Sequence, residues 1–529
     1  MREFLDISQL FAKAIEKAYR DGEDDYNMRP IVLKKSENEP IGTINSGDSV
    51  VFCCKRGERE IQLTDCFVAP DFPYFERKNF SNLYFALFTL YHAKYLTLSL
   101  PVAFKPSIVN DTLGEVISKT GLKQLRIAES EKFAHVTFFF NGNSNRVFMG
   151  EEDMKIPSPS GIPFEKVPAL SLEALSRRLI EEINRDKYQF ILANFANGDV
   201  IGHTTNFEAK VSCVKEINKR LKAVVEEALL KQYTVIVTAD HGVLEVGYKN
   251  GKPNVSHTTN PVPFILINPA LKSVHLKKGK LANIAPTVLD LMGIRKPKFY
   301  EESLFEATPF LKSQKILLIV LDGWGIGEAN ENNPIYVAKP IFYNSLLKEY
   351  PWTTLDASGE SVGLKAGQSG NSEAGHMNIG AGRVILQDDV IIEKSIEDGS
   401  FFLNPVFKEA IQRLDKTKRA LHLIGLLSCK SSHGTVDYFL NVLKIAKSFN
   451  FENVFLHLIL DGRSTEPGSA PALIRSLGKT LHEIGIGTIV TVVGRGYALD
   501  RNGDYAKKTK VAYDAMVFGI GRAVYYNFK

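Results

Sequence analysis

Short apolar runs of strand length recur along the chain, and each is followed by a segment with helical spacing. The runs are apolar throughout rather than alternating, which is typical of parallel strands covered by helices on both faces. Strands are predicted at HVTFFF (135–140), QFILANF (189–195), TVIVTAD (234–240), PFILINP (263–269), ILLIVLDG (316–323), LHLIGLLS (421–428), VFLHLILDG (454–462) and TIVTVVG (488–494). Helices are predicted at LEALSRRLIEEINRD and CVKEINKRLKAVVEEALLKQ. The fold class is therefore α/β.

The length and composition limit the kinds of protein to consider. A chain of 529 residues is too long for one ordinary core, so we predict two domains. A hydrophobic content of 44% and a charged content of 24% are typical of a soluble globular protein. The net charge of +5 is small and its basic residues are scattered, so neither a nucleic-acid nor a membrane partner is expected.

The cysteines and the first residues indicate a cytoplasmic protein. The 5 cysteines include no CxxC pair, which favours reduced thiols over a disulfide framework or a cysteine zinc site. The start MREFLDISQLFAKAIEK has no apolar core of a signal peptide, and no apolar run is long enough to span a membrane.

Aspartates stand at or just beyond the ends of four predicted strands. They are Asp322, Asp240, Asp461 and Asp199, and His241 directly follows the second. Ligands of open α/β sheets bind at the carboxyl ends of the strands. A single aspartate in such a place is equally well explained as a helix cap. Their joint occurrence favours a functional site.

Histidines complete a set of metal-ligand candidates. In NGDVIGH, Asp199 and His203 are four residues apart and share one face of a helical turn. Asp240 and His241 leave a strand end in different directions and can serve two neighbouring ions. SHTTNPVPF adds His257, and LDGWG adds Asp322. Taken singly, each histidine is more often structural; the mixed nitrogen and oxygen set favours manganese or zinc over magnesium.

Ser372 lies in a glycine-rich segment, AGQSGNSEAGHMNIGAGR (366–383). A serine hydroxyl is a poor nucleophile near neutral pH, and coordination to a divalent cation is one of its activation routes. Small neighbours let backbone amides approach a phosphoryl group. A simple glycine-rich turn is the alternative. We interpret Ser372 as a phosphoryl acceptor between two metal ions.

With these motifs the chain resembles the cofactor-independent phosphoglycerate mutases of the alkaline phosphatase superfamily. The resemblance rests on LDGWG, GNSEAGHMNIGAGR, LDGR, GRGYALDR, KVAYDAM, GDSVVF, KQLRIAESEKFAHVTFFFNG, NGDVIGH, TADHG and SHTTNPVPFI. It implies interconversion of 3-phosphoglycerate and 2-phosphoglycerate through a phosphoserine, with two divalent ions (Mn²⁺, with Mg²⁺, Co²⁺ and Zn²⁺ as alternatives) and no 2,3-bisphosphoglycerate. One ion would be held by Ser372, Asp322, Asp240 and His241, and the other by Asp199, His203 and His257. A monomer is also implied.

The order of the motifs departs from that of the family, whose members begin at the LDGWG strand. Joining the end of this chain to its start restores the family order, so the chain resembles a circular permutation. We then expect a phosphatase-like domain at 108–386, inserted into a transferase-like domain formed by 1–107 and 387–529. Residues 305–315 would be the linker that joins the family's usual termini. Hinges are expected near 107 and 387.

The substrate residues of the family fall on basic positions of this chain. The resemblance implies Arg463, Arg495, Arg501, Arg56 and Arg59 as phosphoglycerate ligands, with Lys132 and His433 as catalytic side chains. Arginine suits phosphate and carboxylate because its guanidinium binds them through two parallel hydrogen bonds.

Three stretches depart from the family's pattern. DGRD reads DGRS, so Ser464 stands where an aspartate is expected to handle hydroxyl protons. GLxSDGGVHSH reads GLLSCKSSHGT, and FFNFR reads FCCKR. Asp461 or His433 would then take over proton transfer, or the mutase step would be slow. The alternatives are a metal-dependent phosphatase, a mutase for another phosphorylated alcohol, and a non-enzymatic relic of the fold.

Overall fold

The structure, a computed structural model, describes residues 3–106, 108–307, 309, 315–415, 418–429, 431 and 433–527. The chain forms two compact units, named here the split unit (Met1–Pro106 and Ile391–Lys529) and the central unit (Ser107–Val390). Each unit contains a sheet with helices, so the predicted α/β class is confirmed. The assignment of the units as transferase-like and phosphatase-like domains stays a prediction.

The sheet of the split unit is mostly parallel. Its strands follow the order Arg522–Tyr525, Ile31–Ser36, Thr488–Gly494, Val454–Leu460, Leu421–Leu427, Ser49–Cys53, Tyr84–Thr89 and Val102–Phe104, with Glu39–Pro40 paired to Ile31–Ser36. Ile31–Ser36 runs antiparallel to Thr488–Gly494 and to Glu39–Pro40. Leu421–Leu427 is buried along its whole length, which explains its uninterrupted apolar sequence.

Helices cover both faces of this sheet and form a separate core on each. The helices of the split unit are Glu3–Arg20, Gly57–Val68, Lys94–Thr97, Pro405–Gln412, Val436–Ser448, Ala470–Ile484, Arg495–Ala498 and Lys510–Phe518, with the 3-10 turn Ser400–Leu403 and the π-turn Tyr505–Thr509. One core includes Phe11 and Ile474 from two of these helices. The other includes Leu63 and Met516. Helix Asp388–Glu397 spans the boundary between the units.

The sheet of the central unit places three strands side by side beneath the candidate site. Its order is Gly279–Lys280, Trp352–Asp356, Val262–Ile267, Tyr233–Thr238, Lys315–Leu321, Phe190–Phe195, Gln124–Glu129 and Glu151–Ile156. Val262–Ile267 is antiparallel to both of its neighbours. Tyr248–Lys249 and Lys252–Pro253 form a separate hairpin. The parallel strands end at the same edge, where their following loops meet.

The helices of the central unit pack on this sheet around one continuous core. They are Leu113–Ser118, Leu172–Asn184, Asn197–Gly202, Phe207–Leu230, Ile284–Met292, Pro334–Ala338, Ile341–Glu349 and Ser372–Ala381. Short 3-10 turns lie at Ser130–Lys132, Phe164–Lys166, Pro269–Leu271, Leu281–Asn283 and Gly359–Val362. Within the described residues, each helix is too short or too polar to cross a membrane.

One predicted strand is wrong. HVTFFF forms the π-turn His135–Phe139 instead, directly after the 3-10 turn Ser130–Lys132. A short apolar run does not distinguish a buried strand from a buried helical turn. The turn packs tightly on helix Ser372–Ala381, because a Cβ at Gly380 would lie 2.1 Å from the carbonyl oxygen of Phe140. This close approach holds the turn against the helix that begins with Ser372.

The predicted linker 305–315 lies partly outside the described residues, at 308 and 310–314. Of its described ends, Phe305 is buried and bridges to Leu276, and Lys315 begins a strand. Its role in joining the family's usual termini stays a prediction.

A chain of buried polar side chains crosses the sheet of the split unit. His457 Nδ1 lies 2.9 Å from Thr491 Oγ1, its Nε2 lies 3.0 Å from His422 Nδ1, and His422 Nε2 lies 3.3 Å from Asp48 Oδ2. Burial lowers the pKa of both histidines; Asp48 opposes this for His422. Both are therefore favoured in the neutral form within the fold.

We predict that this network makes the split unit sensitive to acid. Because the folded pKa of His457 is depressed, the unfolded chain takes up a proton first as the pH falls. The free energy of unfolding should then drop by up to roughly 1.4 kcal/mol per pH unit below about pH 6.5. In His457→Gln this slope should be shallower in urea unfolding curves between about pH 7 and 5. Exposed His92→Gln is the control; an unchanged slope in His457→Gln would contradict the prediction.

Candidate active site

Three aspartates converge at the carboxyl edge of the central sheet. Strand Lys315–Leu321 lies between two parallel neighbours, so the residues that follow the three strands are brought together. Asp322 directly follows its strand, Asp240 comes two residues after Thr238, and Asp199 lies on the short helix Asn197–Gly202. All three side chains are buried.

The turn after Asp322 requires a glycine. Gly323 has a φ of 77°, and a Cβ there would lie 2.7 Å from the backbone nitrogen of Asp199. Its own N–H donates to Asp240 Oδ1 at 3.1 Å. The backbone of one aspartate loop thereby orients the carboxylate of the next, which explains the glycine in LDGWG.

Ser372 is the first residue of helix Ser372–Ala381, and the side chain of Asn371 caps this helix by accepting from Ala374 N–H at 2.8 Å. Ser372 Oγ lies 2.9 Å from His241 Nε2 and 3.2 Å from Asp322 Oδ1. A helix N-terminus favours negative charge, since its first N–H groups are unpaired and point outward along the axis. Ser372 is thus in a position where an added phosphoryl group is stabilised.

Lys132 is the cation nearest to this serine. Its Nζ donates to Ser372 Oγ at 2.6 Å, to Asp322 Oδ1 at 2.8 Å and to Asp199. Burial alone lowers the pKa of Lys132, but the surrounding carboxylates raise it above its ordinary value. The lysine therefore stays protonated. It belongs to the central unit, together with Ser372.

The negative charge of the cluster exceeds what Lys132 offsets. Burial opposes the ionisation of Asp199, yet the ammonium of Lys132 lowers the pKa of this carboxyl well below the usual range. Burial and the neighbouring Asp240, in contrast, raise the pKa of Asp322. One ammonium does not compensate three close carboxylates, and the cluster has room for further positive charge.

Two histidines next to Asp199 present unprotonated nitrogens toward each other. His203 Nδ1 lies 2.8 Å from the carbonyl oxygen of Val255, and His257 Nδ1 lies 2.8 Å from that of Gly370. A carbonyl only accepts, so each Nδ1 bears the proton and each Nε2 carries a lone pair. The two Nε2 atoms are 3.0 Å apart, and each is 3.1 Å from Asp199 Oδ1. Three acceptors so close together fit a shared cation.

A second group of donors lies beside the first and is fully buried. In this group one ligand atom from each residue lies within 4.8 Å of the others; its members are Asp240, Asp322 and His376. The same holds for Asp199, His241 and His257. Asp240 Oδ2 has no hydrogen-bond partner among the described residues. His376 Nδ1 is 3.3 Å from it but donates to the Ser372 carbonyl at 2.9 Å. An orphaned carboxylate oxygen in a buried acidic group again fits a cation.

The donor atoms of both groups suit divalent metal ions. Imidazole nitrogens and carboxylate oxygens are usual ligands of transition metals in proteins. A backbone carbonyl commonly orients such an imidazole by accepting the hydrogen bond of its other nitrogen. His241 Nε2 lies 3.6 Å from Asp199 Oδ1, 3.6 Å from Asp322 Oδ1 and 3.5 Å from Asp240 Oδ2, so it stands between the groups. All seven predicted metal residues are brought together; how they divide between two ions stays a prediction.

The sequence interpretation missed two members of this cluster. His376 follows Ser372 by four residues, and this spacing on the GNSEAGHMNIGAGR helix was an available signal. Asn194 lies inside strand Phe190–Phe195 and donates to Asp322 Oδ2 at 2.7 Å. Nothing distinguishes an asparagine in a buried strand from any other polar interruption, so no sequence signal pointed to it.

The split unit holds a second candidate site, a cavity of about 260 Å³. Its lining contains every predicted substrate residue of this unit and one unpredicted carboxylate: Arg56, Arg59, Arg463, Arg495, Arg501, His433, Ser464 and Glu58. Five guanidinium groups around a small cavity form a strong anion site.

Carboxylates hold several of these arginines in place. Arg501 pairs with Glu58, whose other oxygen is 3.8 Å from Arg56, and Arg495 pairs with Asp461. Arg463 forms none of the ion pairs among the described residues. Arginines left with unpaired donors are available to a bound anion.

Asp461 is not a group of the cavity wall. It is buried, paired with Arg495, and accepts the Ser464 backbone N–H at 2.9 Å. Of the two side chains expected to replace the missing aspartate, only His433 lines the cavity. Ser464 also lines it, with a hydroxyl where a carboxylate was expected.

Two family profiles match this chain, and the first of them includes residues of both units. A profile described as Metalloenzyme superfamily matches residues 35–296, and one described as BPG-independent PGAM N-terminus matches residues 392–527. The N-terminus profile follows the metalloenzyme profile in this chain. The circular permutation stays a prediction. Asp322 and Ser372 lie between the two matched ranges.

Curated relatives carry the name 2,3-bisphosphoglycerate-independent phosphoglycerate mutase. That of Acetivibrio thermocellus is 40% identical over 294 residues, 55% of this chain and 57% of the relative. Mutase 1 of Methanosarcina acetivorans is 42% identical over 288 residues, 54% of this chain and 55% of the relative. The chain thus spans little more than half the length of the curated relatives it matches.

A solved structure of Leishmania mexicana phosphoglycerate mutase at low cobalt concentration is also similar. It is 28% identical with a TM-score of 0.42, and the match covers 52% of this chain and 53% of that one.

We predict that manganese binding depends on the paired histidines. Adding Mn²⁺ to the metal-depleted protein should raise the melting temperature, since a ligand that binds only the folded state stabilises it. His257→Ala should bind less manganese by elemental analysis and show a smaller rise, whereas His275→Ala, an exposed histidine of the same unit, should match the wild type. Equal manganese content in both variants would show that His257 is not a ligand.

Proposed function

We propose that the chain interconverts 3-phosphoglycerate and 2-phosphoglycerate, because residues 35–296 match the metalloenzyme superfamily and residues 392–527 match the BPG-independent PGAM N-terminus. The reaction would pass through a phosphoserine on Ser372. The observation that carries this proposal is the position of Ser372 Oγ at a helix N-terminus, within 2.6 Å of Lys132 Nζ and 2.9 Å of His241 Nε2. We place the reaction in glycolysis and gluconeogenesis, in the cytoplasm, carried out by a monomer.

The metal ions in this proposal are two manganese ions, with Mg²⁺, Co²⁺ and Zn²⁺ as alternatives. The proposed ligands are Asp322, Ser372, Asp240 and His241 for one ion, and Asp199, His203 and His257 for the other. When bound, the ions make the serine hydroxyl more acidic and stabilise the oxygens of the transferring phosphoryl group. The acceptor geometry at Asp199 and the orphaned Asp240 oxygen support this choice.

The central unit supplies the phosphoryl acceptor. Ser372 Oγ forms a bond to phosphorus while the bond from phosphorus to the substrate oxygen breaks. Lys132 donates to the serine oxygen and offsets negative charge on the transferring group. We assign this phosphatase-like role to residues 108–386.

The split unit supplies the site for the rest of the substrate. A phosphoglycerate carries a phosphate and a carboxylate, and the proposed ligands are Arg56, Arg59, Arg463, Arg495 and Arg501, with Ser464 beside them. Glycerate held by these arginines reorients without leaving, and its other hydroxyl then attacks the phosphoserine. Water must be kept from the phosphoserine, because hydrolysis would turn the mutase into a phosphatase. We assign this transferase-like role to 1–107 and 387–529.

A metal-dependent phosphatase, or a mutase for another phosphorylated alcohol, is the second candidate function. The observation that favours it is the serine at 464 in a cavity whose one lining carboxylate, Glu58, is paired with Arg501. A serine hydroxyl is a weak proton acceptor, so hydrolysis of the phosphoserine by water would be favoured over attack by the substrate hydroxyl.

Replacing the acceptor tests the proposal directly. Ser372→Ala should lower both 2-phosphoglycerate formation and phosphate release from 3-phosphoglycerate by about 10³-fold or more, because both begin at Ser372. Manganese-loaded wild type with and without a chelator is the reference, and both products are followed in one assay. Retained isomerisation in Ser372→Ala would refute the phosphoserine route. Phosphate release that outpaces isomerisation in the wild type would favour the second candidate.

Restoring the carboxylate tests the role of position 464. Ser464→Asp should raise the ratio of isomerisation to hydrolysis by about tenfold or more, since a carboxylate can accept the hydroxyl proton. Ser464→Asn is the matched control, with the same shape and no charge, and should leave the ratio unchanged. A ratio that stays constant in Ser464→Asp as well would mean that another group already carries the proton.

A further inference from the structure

A buried histidine–glutamate pair forms part of the wall of the arginine-lined cavity. His433 Nδ1 lies 2.9 Å from Glu60 Oε1, and both side chains are buried. The two residues come from distant parts of the chain, helix Gly57–Val68 and the loop before helix Val436–Ser448. His433 lines the cavity, whereas Glu60 lies behind it.

The pair has one defined tautomer. Glu60 Oε2 accepts the backbone N–H of Arg59 at 3.1 Å, so a carboxylate with both oxygens accepting fits the position. The proton of a neutral imidazole then lies on Nδ1, toward Glu60. No hydrogen bond from a described residue engages His433 Nε2, which leaves its lone pair for a group in the cavity. Backbone bonds fix the loop, because Lys55 N–H donates to the His433 carbonyl at 2.7 Å.

The other groups of the cavity wall are unsuited to exchanging a proton near neutral pH. Arginine does not lose its proton in proteins, and a serine hydroxyl is a poor base. Glu58 is paired with Arg501, which lowers the pKa of this carboxyl despite the opposing effect of its partial burial. Imidazole is the side chain whose ordinary pKa lies between pH 5 and 8. His433 is therefore the lining residue chemically suited to the task.

We propose that His433 carries the proton between the two glycerate hydroxyls and that Glu60 is the positioning residue that fixes and strengthens it as a base. This inference rests on the proposed function and adds to it the group that replaces the aspartate expected at 464. Nε2 of the neutral imidazole accepts the proton of the second hydroxyl and passes it to the first substrate oxygen as the bond between phosphorus and that oxygen breaks. The second oxygen, which has given up its proton, then forms the new bond to phosphorus while Ser372 Oγ leaves. The histidine ends as it began.

The surroundings of Glu60 leave His433 as its charge partner. Burial raises the pKa of Glu60, and the hydrogen bond from His433 opposes that rise. Its other titratable neighbours, Cys54 and Tyr91, have pKa values raised by burial and stay neutral. From the cavity side the charged groups among the described residues are the five lining arginines and Glu58. Burying the Glu60 carboxylate is costly, and among the described residues its one side-chain hydrogen-bond partner is His433. The position of Glu60 is well explained if it orients that histidine.

The test compares the manganese-loaded wild type with Glu60→Gln over the pH range of activity, following 2-phosphoglycerate formation from 3-phosphoglycerate. The amide keeps the hydrogen bond to Nδ1 but removes the charge that stabilises the imidazolium. The imidazole therefore becomes less basic, and kcat should fall by about tenfold or more. The acid limb of the kcat profile should move to lower pH by about one unit. KM should change little, because Glu60 does not line the cavity.

Asp65→Asn is the matched control, a second buried carboxylate on the same helix that contacts Lys94 and Tyr95 instead of the cavity. It should keep the acid limb in place even if the protein is less stable. His433→Ala should lose isomerisation by about 100-fold or more, and added free imidazole should restore part of it in proportion to its unprotonated fraction. A merely structural histidine would not be rescued in this way.

The outcomes separate the two claims. An acid limb that stays in place in Glu60→Gln, or His433→Ala without imidazole rescue, overturns the inference while the wild type still isomerises. A wild type that forms no 2-phosphoglycerate overturns the proposed function and the inference with it. A shift of the acid limb in Asp65→Asn equal to that in Glu60→Gln would mean that general destabilisation is the cause, and would also overturn the inference.

Discussion

The central unit is organised around the repulsion between three buried carboxylates. Asp199, Asp240 and Asp322 are drawn together by adjacent parallel strands, and a cluster of this charge is stable only with cations among its oxygens. Lys132 supplies one of them. The cluster suits divalent ions because negative charge remains, two histidine nitrogens face each other, and Asp240 Oδ2 has no hydrogen-bond partner among the described residues. We propose that a serine placed in such a field accepts a phosphoryl group.

The rest of the central unit serves to hold this cluster rigid. Gly323 lets the chain turn directly after Asp322 and ties that turn to Asp240. The π-turn His135–Phe139 packs on the helix of Ser372 and follows the turn that carries Lys132. Rigid placement matters since charge stabilisation in a dry site depends on groups that need not reorganise during the reaction. In the split unit, the buried Asp461 and the exposed Glu58 pair with arginines of the cavity, and the buried Glu60 contacts a histidine.

Much of this could be predicted from the sequence because the chemistry is local. Apolar runs marked most of the strands, and an aspartate at a strand end or a histidine four residues after an aspartate is visible without a structure. The confirmed parts are the α/β class and the similarity to metalloenzymes and to BPG-independent phosphoglycerate mutases. The roles of the individual site residues stay predictions, although the structure brings the metal set together and lines one cavity with the arginine set.

Other features could not be predicted, and the reasons are physical. The strand predicted at HVTFFF failed since a short apolar run fits a buried helical turn equally well. In the sequence, nothing distinguishes Glu60 from any other charged residue of a helix. Its partner His433 is 373 positions away along the chain. Asp461 does not line the cavity and pairs instead with Arg495. This pairing is visible only in the folded structure.

The central claim is that Ser372 receives the phosphoryl group. The most direct measurement is peptide mass spectrometry of the manganese-loaded protein, quenched in acid shortly after mixing with 3-phosphoglycerate. The account predicts a phosphate on Ser372 that appears before 2-phosphoglycerate accumulates and disappears when the substrate is removed. Formation of 2-phosphoglycerate with no phosphate on Ser372 at any quench time would contradict it.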